Sequence, residues 1–347
     1  MRAEATPPRA SRMPAPAMLL GIVAVAALAA LPWLTAQYAI DLVTKIMIMA
    51  IFALSLELLV GGTGLVSFGH AAYFGVAAYA AALLAPKYEA AFLPSLFALA
   101  VLAAGAYALV VGALVLRTRG IYFIMVTLAF SQMAYYIFHD TKVGGGSDGI
   151  YLNIKPELAL GGWKPFDLEQ GLHFYFFTLV ILLLVFAFLT LLRRSRFGRA
   201  LDGIRVNETR MRAAGFSTYA YKLAAFVLAG MLAGVAGFLF AAKDGFVNPE
   251  LLAWHQSGAV LLMVILGGVG RLHGAVIGAF ALTLLQELFA SEAIFGGFAK
   301  HWQLLLGATI ILSVALLPGG LTGVADSLRA WRRRARGGGR AAGAGDE

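Results

Sequence analysis

Residues 39–84 read AIDLVTKIMIMAIFALSLELLVGGTGLVSFGHAAYFGVAAYAAALL. Two apolar runs, 39–60 and 64–84, meet at a glycine cluster, Gly61, Gly62 and Gly64. Each run is about 20 residues long, which as a helix crosses about 30 Å of hydrocarbon. The second is crowded with glycine and alanine and carries Ser67, His70 and Tyr73. Why a membrane segment should begin in this way is the question from which the rest of the chain is read.

The pattern recurs along the chain. Apolar runs between polar breaks predict ten spans, at 17–36, 39–60, 64–84, 92–116, 121–138, 172–192, 221–242, 257–269, 274–290 and 302–318. The eighth and ninth can also be read as one hairpin, because only glycines, Arg271 and His273 interrupt them. With 61% of its 347 residues hydrophobic, 13% charged and a mean hydropathy of +0.82, the chain is too apolar for a soluble domain of its length. The runs are long, unlike the alternating segments of about 10 residues in an outer-membrane barrel. The expected fold is all-α: a polytopic transmembrane helical bundle of about ten spans with glycine-broken helices.

The net charge of +9 would suggest a nucleic-acid partner in a soluble domain. Here the basic residues sit in short loops and tails, where they set topology and face anionic membrane lipid; no nucleic acid is expected. With the N-terminus cytoplasmic, all nineteen arginines fall inside, at 2, 9, 12, 117, 119, seven positions from 193 to 212, 271, and six from 329 to 340. Six of the eight lysines (Lys87, Lys142, Lys155, Lys164, Lys243, Lys300) fall outside. The positive-inside bias therefore predicts both termini to be cytoplasmic. The basic prelude to the first span also suits a signal peptide, but its removal would leave nine spans and break the charge count, so retention is expected. The resulting organisation is a basic tail at 1–16, a transmembrane domain at 17–318 with an outer loop at 139–171 and an inner loop at 193–220, and an Arg/Gly-rich disordered tail at 319–347.

Four places could carry chemistry. In the third span, small-xxx-small pairs such as Ala71 with Gly75 and Ala78 with Ala82 allow close helix approach. Alternatively, a glycine-broken helix lines a path with backbone groups beside Gly64, Ser67, His70 and Tyr73. The outer loop contains KVGGGSDGIY, which lacks the GxxxxGK[ST] spacing of a nucleotide cradle. Its Ser147 and Asp148 suit a helix cap or turn, or a partner docking outside. The inner loop places Phe197, Leu201, Ile204 and Glu208 at helical spacing among seven arginines, predicting a short amphipathic helix beneath the membrane, with Gly203 and Gly215 breaking any longer one. Asp202, Asn207 and Glu208 interrupt its basic face, which suits a protein partner better than lipid alone. Lastly, Lys45, Glu57, Gln132, Gln286 and Glu287 are intramembrane polar residues; Glu57 and Glu287 lie toward span ends, where pairing or snorkelling is expected. The chain has no cysteine, which excludes disulfides and thiolate chemistry, and no HExxH; its six histidines are dispersed. Neither an enzyme nor a metal site is expected.

These residues also form an ordered series: GGTGLVSFGHAAYFGVAAYAAALL, RGIYFIMVTLAFSQM, GGGSDGI, FGRALDGIRVNE with AAG, YKLAAFVLAGMLAGVAGFLFA and LLMVILGGVGRLHGAVIGA. The series resembles the LivM-type permeases of branched-chain amino acid ABC transporters over roughly residues 40 to 318. The resemblance implies a bacterial inner-membrane importer paired with a LivH-type permease, with two cytoplasmic ATPases of the LivG and LivF type and a periplasmic LivK-type binding protein. ATP and Mg would bind those partners and no cofactor this chain. It further implies that 197–216 couples to the ATPases, with Phe197, Arg199, Leu201, Asp202, Ile204, Arg205, Asn207, Glu208, Arg210 and Gly215 as candidate contacts, and that Gln132 joins the path-lining set. The EAA-then-Gly coupling pattern is matched poorly, since Glu208 precedes Gly215 by seven positions and Thr209 and Arg210 replace the alanines. Two other readings stay open: the same architecture carrying urea, amides or other small amino acid-like solutes, and an ion-coupled secondary transporter using Glu57.

Overall fold

The computed structural model describes residues 15–323, except 87, 161–162, 167 and 318. Expectations that fall on 1–14, on Lys87 and on the tail beyond 323 lie outside the described residues. Among the described residues, six helices are long and apolar enough to cross a membrane, and an apolar helix falls on each of the ten expected runs. The first five are α1 (Ala15–Leu34), α2 (Gln37–Thr63), α3 (His70–Leu84), α4 (Leu93–Val115) and α5 (Ile121–Asp140). A loop with short strands β1 (Ile150–Tyr151), β2 (Leu158–Leu160) and β3 (Trp163–Phe166) leads to α6 (Gly171–Arg194). Two short helices follow, α7 (Arg196–Val206) and α8 (Glu208–Ala213), then the long α9 (Thr218–Asp244). Strand β4 (Phe246–Val247) and a 3-10 turn (Pro249–Leu252) precede α10 (Trp254–Gly267), α11 (Leu272–Ala290), α12 (Glu292–Phe295) and α13 (Trp302–Leu316). The eighth and ninth spans are thus two helices joined by a four-residue turn at Gly268–Arg271, where positive φ at Gly268 and Gly270 reverses the chain.

Helix α2 is the axis of the bundle: all but one residue from Ile46 to Thr63 is buried. Helices α9, α11, α6 and α10 pack around it, and α3 meets it through His70 and Phe74, against Ser55 and Phe52. Small residues set the spacing between them. A Cβ on Gly234 would lie 2.7 Å from that of Ala104, and one on Gly237 would collide with the Phe74 carbonyl. Close backbone approach of this kind replaces the hydrophobic effect as the source of helix association in lipid. The alanine and glycine pattern of the third span is therefore a packing pattern, with Gly75 seated on Leu252. On their outward faces α4 and α5 expose large apolar residues, including Leu102, Val110, Ile121, Tyr122 and Met125.

The described arginines gather at one end. Arg205 reaches the last turn of α2, Arg193 reaches the α10–α11 turn, and Tyr219, at the start of α9, bonds the Ala113 carbonyl near the end of α4. At the opposite end β1 pairs antiparallel with β4, Ile150 opposite Val247, and ties the α5–α6 loop to the α9–α10 loop.

Two sequence expectations change here. The run at 64–84 is not one helix: 64–69 is non-helical and the helix begins at His70. Gly203 lies inside α7 and does not break it; the break falls at Asn207, whose side-chain oxygen accepts from the Arg210 amide (2.9 Å) and caps α8. Glu208 consequently opens a second helix and does not continue the stripe of Leu201 and Ile204.

Candidate functional site

The start of α3 answers the opening question. Helix α2 ends at Thr63, and with Gly64 at φ 74° the Gly64 amide donates to the Val60 carbonyl (3.2 Å) and the Leu65 amide to the Leu59 carbonyl (3.3 Å). The non-helical stretch of chain that follows turns back alongside α2, and His70 arrives opposite Ser55. Ser55 lies eight residues before Thr63, so α3 starts about 12 Å above the arginine end of α2. A backbone without helical bonds at that depth needs partners. The Phe68 amide donates to Thr127 Oγ1 (3.2 Å), the Gly69 amide to Ser67 Oγ (3.2 Å) and the Ala71 amide to Ser257 Oγ (2.8 Å). Gly69 has no room for a side chain because the Thr127 carbonyl occupies the place of its Cβ. Ser131 Oγ closes the cluster by donating to the Leu252 carbonyl (2.9 Å).

His70 Nε2 is 2.8 Å from Ser55 Oγ, and the ring stacks on Phe52 and meets Tyr73 edge-on at 5.6 Å. Ser67, His70 and Tyr73 are all buried, as is Nδ1 of His70. They face the bundle core and reach no open surface of this chain. Of the expected path-lining set, Gly64 is exposed at the arginine end and Gln132 is half-buried. Gln132 lies with Ala129, Met133, Tyr136, Ile137 and Thr141 along an open groove of about 590 Å³ on α5. The partners Ser55, Thr127, Ser131 and Ser257 were not singled out from sequence. A hydroxyl inside an apolar run is the available signal, but Ser and Thr also bond their own helix there, as Thr44 does with the Ile40 carbonyl.

The arginine-end loop divides into residues that face the bundle and residues that face outward. Leu201 and Ile204 are buried, and Phe197 stacks on Tyr221 with ring centroids 5.6 Å apart. Arg205 donates to the Gly61 carbonyl (2.5 Å). Glu208 accepts from Lys222 (2.9 Å), Arg212 (2.5 Å) and Thr218 (3.1 Å). Burial alone would raise its carboxyl, but the hydrogen bond and charge of Lys222, helped by Thr218 and Arg212, overcome this and hold it at about 2. Gly215, at φ 87°, makes the turn into α9. Arg199, Asp202 and Arg210 point outward beside Val206, which is 81% exposed and which sequence reading missed.

The remaining candidates have local roles. Glu57 is buried near Arg193 (3.8 Å), and Glu287 accepts from the Tyr38 hydroxyl, so both acidic residues are paired. Lys45 is exposed on α2 and Gln286 is half-buried. Ser147 and Asp148 lie in a 3-10 turn, with Ser147 Oγ donating to Asp148 (3.2 Å). Residues Gly145 to Gly149 have the spelling GxSxG, yet this turn is no strand-to-helix elbow, and the bond that Ser147 makes is to a carboxylate.

Such a bundle, with a broken helix at its centre and a charged short-helix loop at one end, is built as a membrane permease is built. The chain belongs to the family described as branched-chain amino acid transport system / permease component, whose pattern matches residues 38–314. It is 34% identical over 309 residues to the high-affinity branched-chain amino acid transport system permease protein LivM of Escherichia coli K12, covering 84% of this chain and 71% of that one. The LivM protein of Salmonella typhimurium is 33% identical over the same extent. The autoinducer 2 import system permease protein LsrC of Yersinia enterocolitica is 26% identical over 189 residues, 51% of each chain. No solved structure matches. The protein is a multi-pass membrane protein and a permease subunit of the ATP-binding cassette importer class, a transport subunit and not an enzyme.

Proposed function

We propose that this chain is one of two related permease subunits, the other of the LivH type, of an inner-membrane importer for branched-chain amino acids. A periplasmic LivK-type protein delivers the cargo, and cytoplasmic ATPases of the LivG and LivF type bind ATP and Mg and drive the cycle. Both termini and the 193–220 loop are cytoplasmic, 139–171 is periplasmic with Ser147 and Asp148 at its turn, and 17–318 forms the permease domain. The groove at Gln132 is the proposed wall of the path between the two permeases, offering one amide among apolar side chains.

The observation that carries this reading is the division of the 193–220 loop. Its apolar residues anchor it to the bundle, while Arg199, Asp202, Val206 and Arg210 are left free to meet a partner. An exposed apolar side chain ringed by charge suits a protein surface better than a lipid headgroup layer. Val206→Asp should lower co-purification of the ATPases more than about tenfold while the permease pair still assembles. Full retention of the ATPases would overturn the assignment.

Relatives bearing different cargo names favour a second reading, in which the same architecture carries another small solute. Binding measurements on the cognate periplasmic protein with leucine, isoleucine, valine and urea decide between them. Tight urea binding without amino acid binding would sink the leading cargo. An ion-coupled transporter is disfavoured, because Glu57 is sealed in the bundle beside Arg193; uptake that survives removal of ATP would revive it.

A further inference from the structure

The loop that meets the ATPases is also wired to the centre of the bundle. Arg205 donates to the Gly61 carbonyl in the last turn of α2, the negative end of the helix dipole. Arg193, in the last turn of α6, donates to the Gly270 carbonyl (2.9 Å) and lies 3.8 Å from Glu57. Glu57 is 1% exposed, and neither of its oxygens accepts a hydrogen bond. A dehydrated carboxylate is costly to keep, and this one depends on the charges of Arg193 and Arg205 and on the nearby Gly270 amide. One guanidinium therefore stands between two acceptors, a carbonyl on the α10–α11 turn and a carboxylate on α2. A small shift of α6 or α7 exchanges one for the other.

The α10–α11 turn is itself pinned. Thr322 Oγ1 donates to the Gly267 carbonyl (2.8 Å) and Arg271 donates to the Thr322 carbonyl (3.1 Å). From this turn α10 runs 14 residues, about 21 Å, and near its far end Ser257 holds the Ala71 amide. A single rigid helix thus joins the arginine cluster to the start of α3.

We propose that Arg193, Arg205 and Glu57 are positioning residues that transmit movement of α7 to α2 and, through the α10–α11 turn and α10, to the broken helix α3. This rests on the reading that the α7–α8 loop receives the ATPases, and the two fail differently. The test uses the complete importer in proteoliposomes: both permeases, both ATPases and the binding protein loaded with L-leucine. In Arg205→Met, Arg193→Met and Glu57→Gln, the ATPases should co-purify at wild-type stoichiometry and basal hydrolysis should be unchanged. Stimulation by the loaded binding protein should fall about tenfold, the size of an ordinary coupling free energy. Arg205→Lys, which can still donate to Gly61, should restore most of it. A merely structural role would lower basal and stimulated hydrolysis together and give no rescue, and would overturn the proposal. Stimulation within twofold of wild type would also overturn it. Loss of the ATPases from the complex would make the arginines docking groups, removing the relay but leaving the docking reading intact. Should Arg205→Met fail to assemble, Glu57→Gln, which barely changes side-chain volume, separates the same outcomes.

Discussion

The chain contains two polar clusters, and they are built from opposite materials. At the start of α3 the groups are hydroxyls, an imidazole and backbone amides, all short, neutral and buried. At the arginine end they are guanidiniums and carboxylates on long side chains that span several elements, partly exposed except for the buried Glu57. A neutral cluster in a dry core is worth most when every bond is made, so it fixes one geometry. A charged cluster near water can trade partners at small cost, because its alternatives are also acceptors and solvent is close. The contrast teaches that this permease places rigidity where the broken helix must hold its shape and exchangeable bonds where the ATPases are proposed to dock.

That contrast can be broken most severely at Gly69. Gly69→Ala forces a methyl onto the Thr127 carbonyl, and overpacking of this kind costs about 1–3 kcal/mol. The expected outcome is a sharp loss of folded protein in detergent, read by size-exclusion chromatography and thermal unfolding. The same substitution at Gly297, where a Cβ would meet nothing within 4 Å, should leave the yield unchanged.

Next in size is the pair Ser55 and His70. Ser55→Ala strands the imidazole without its partner, at a cost of about 1–3 kcal/mol. Adding His70→Phe should recover most of the lost thermal stability, because no polar group is then left unpaired. Uptake should recover with it. A double variant that is stable but transports nothing would show that His70 meets the solute during the cycle.

The smallest effect is expected at Glu208. Its folded value of about 2 lies below the ordinary 4.5, so its contribution is present above about pH 4.5 and lost as pH falls toward 2. Retention of the ATPases on the permease pair should weaken across that window in wild type. Glu208→Gln should flatten the dependence, and a variant with the wild-type profile would remove Glu208 from the loop's anchoring.

The bundle was legible because apolar runs of membrane length admit few structures. With no water to bond the backbone, a helix forms within each run, and six of the described helices are long and apolar enough to cross a membrane. The inner helix was legible in part. The spacing of Phe197, Leu201 and Ile204 placed it correctly, but its end lies beyond Gly203, where the Asn207 side chain supplies the local cap of the next helix. Which residues of that loop point outward could not be read at all. Arg199 and Arg205 look alike in sequence; only the position of the α2 terminus makes one of them face the bundle.

By itself, then, the sequence determined the helical and apolar character of the runs, the gathering of the described arginines at one end and the close packing of the third run, because these depend on composition and local spacing. The tertiary structure decided that residues 64–69 are non-helical, that Ser55, Thr127 and Ser257 supply the partners for His70 and for the unwound backbone, and that Arg193 stands between Gly270 and Glu57. Those bonds join residues up to 186 positions apart, and no local periodicity records which distant hydroxyl or carbonyl will arrive.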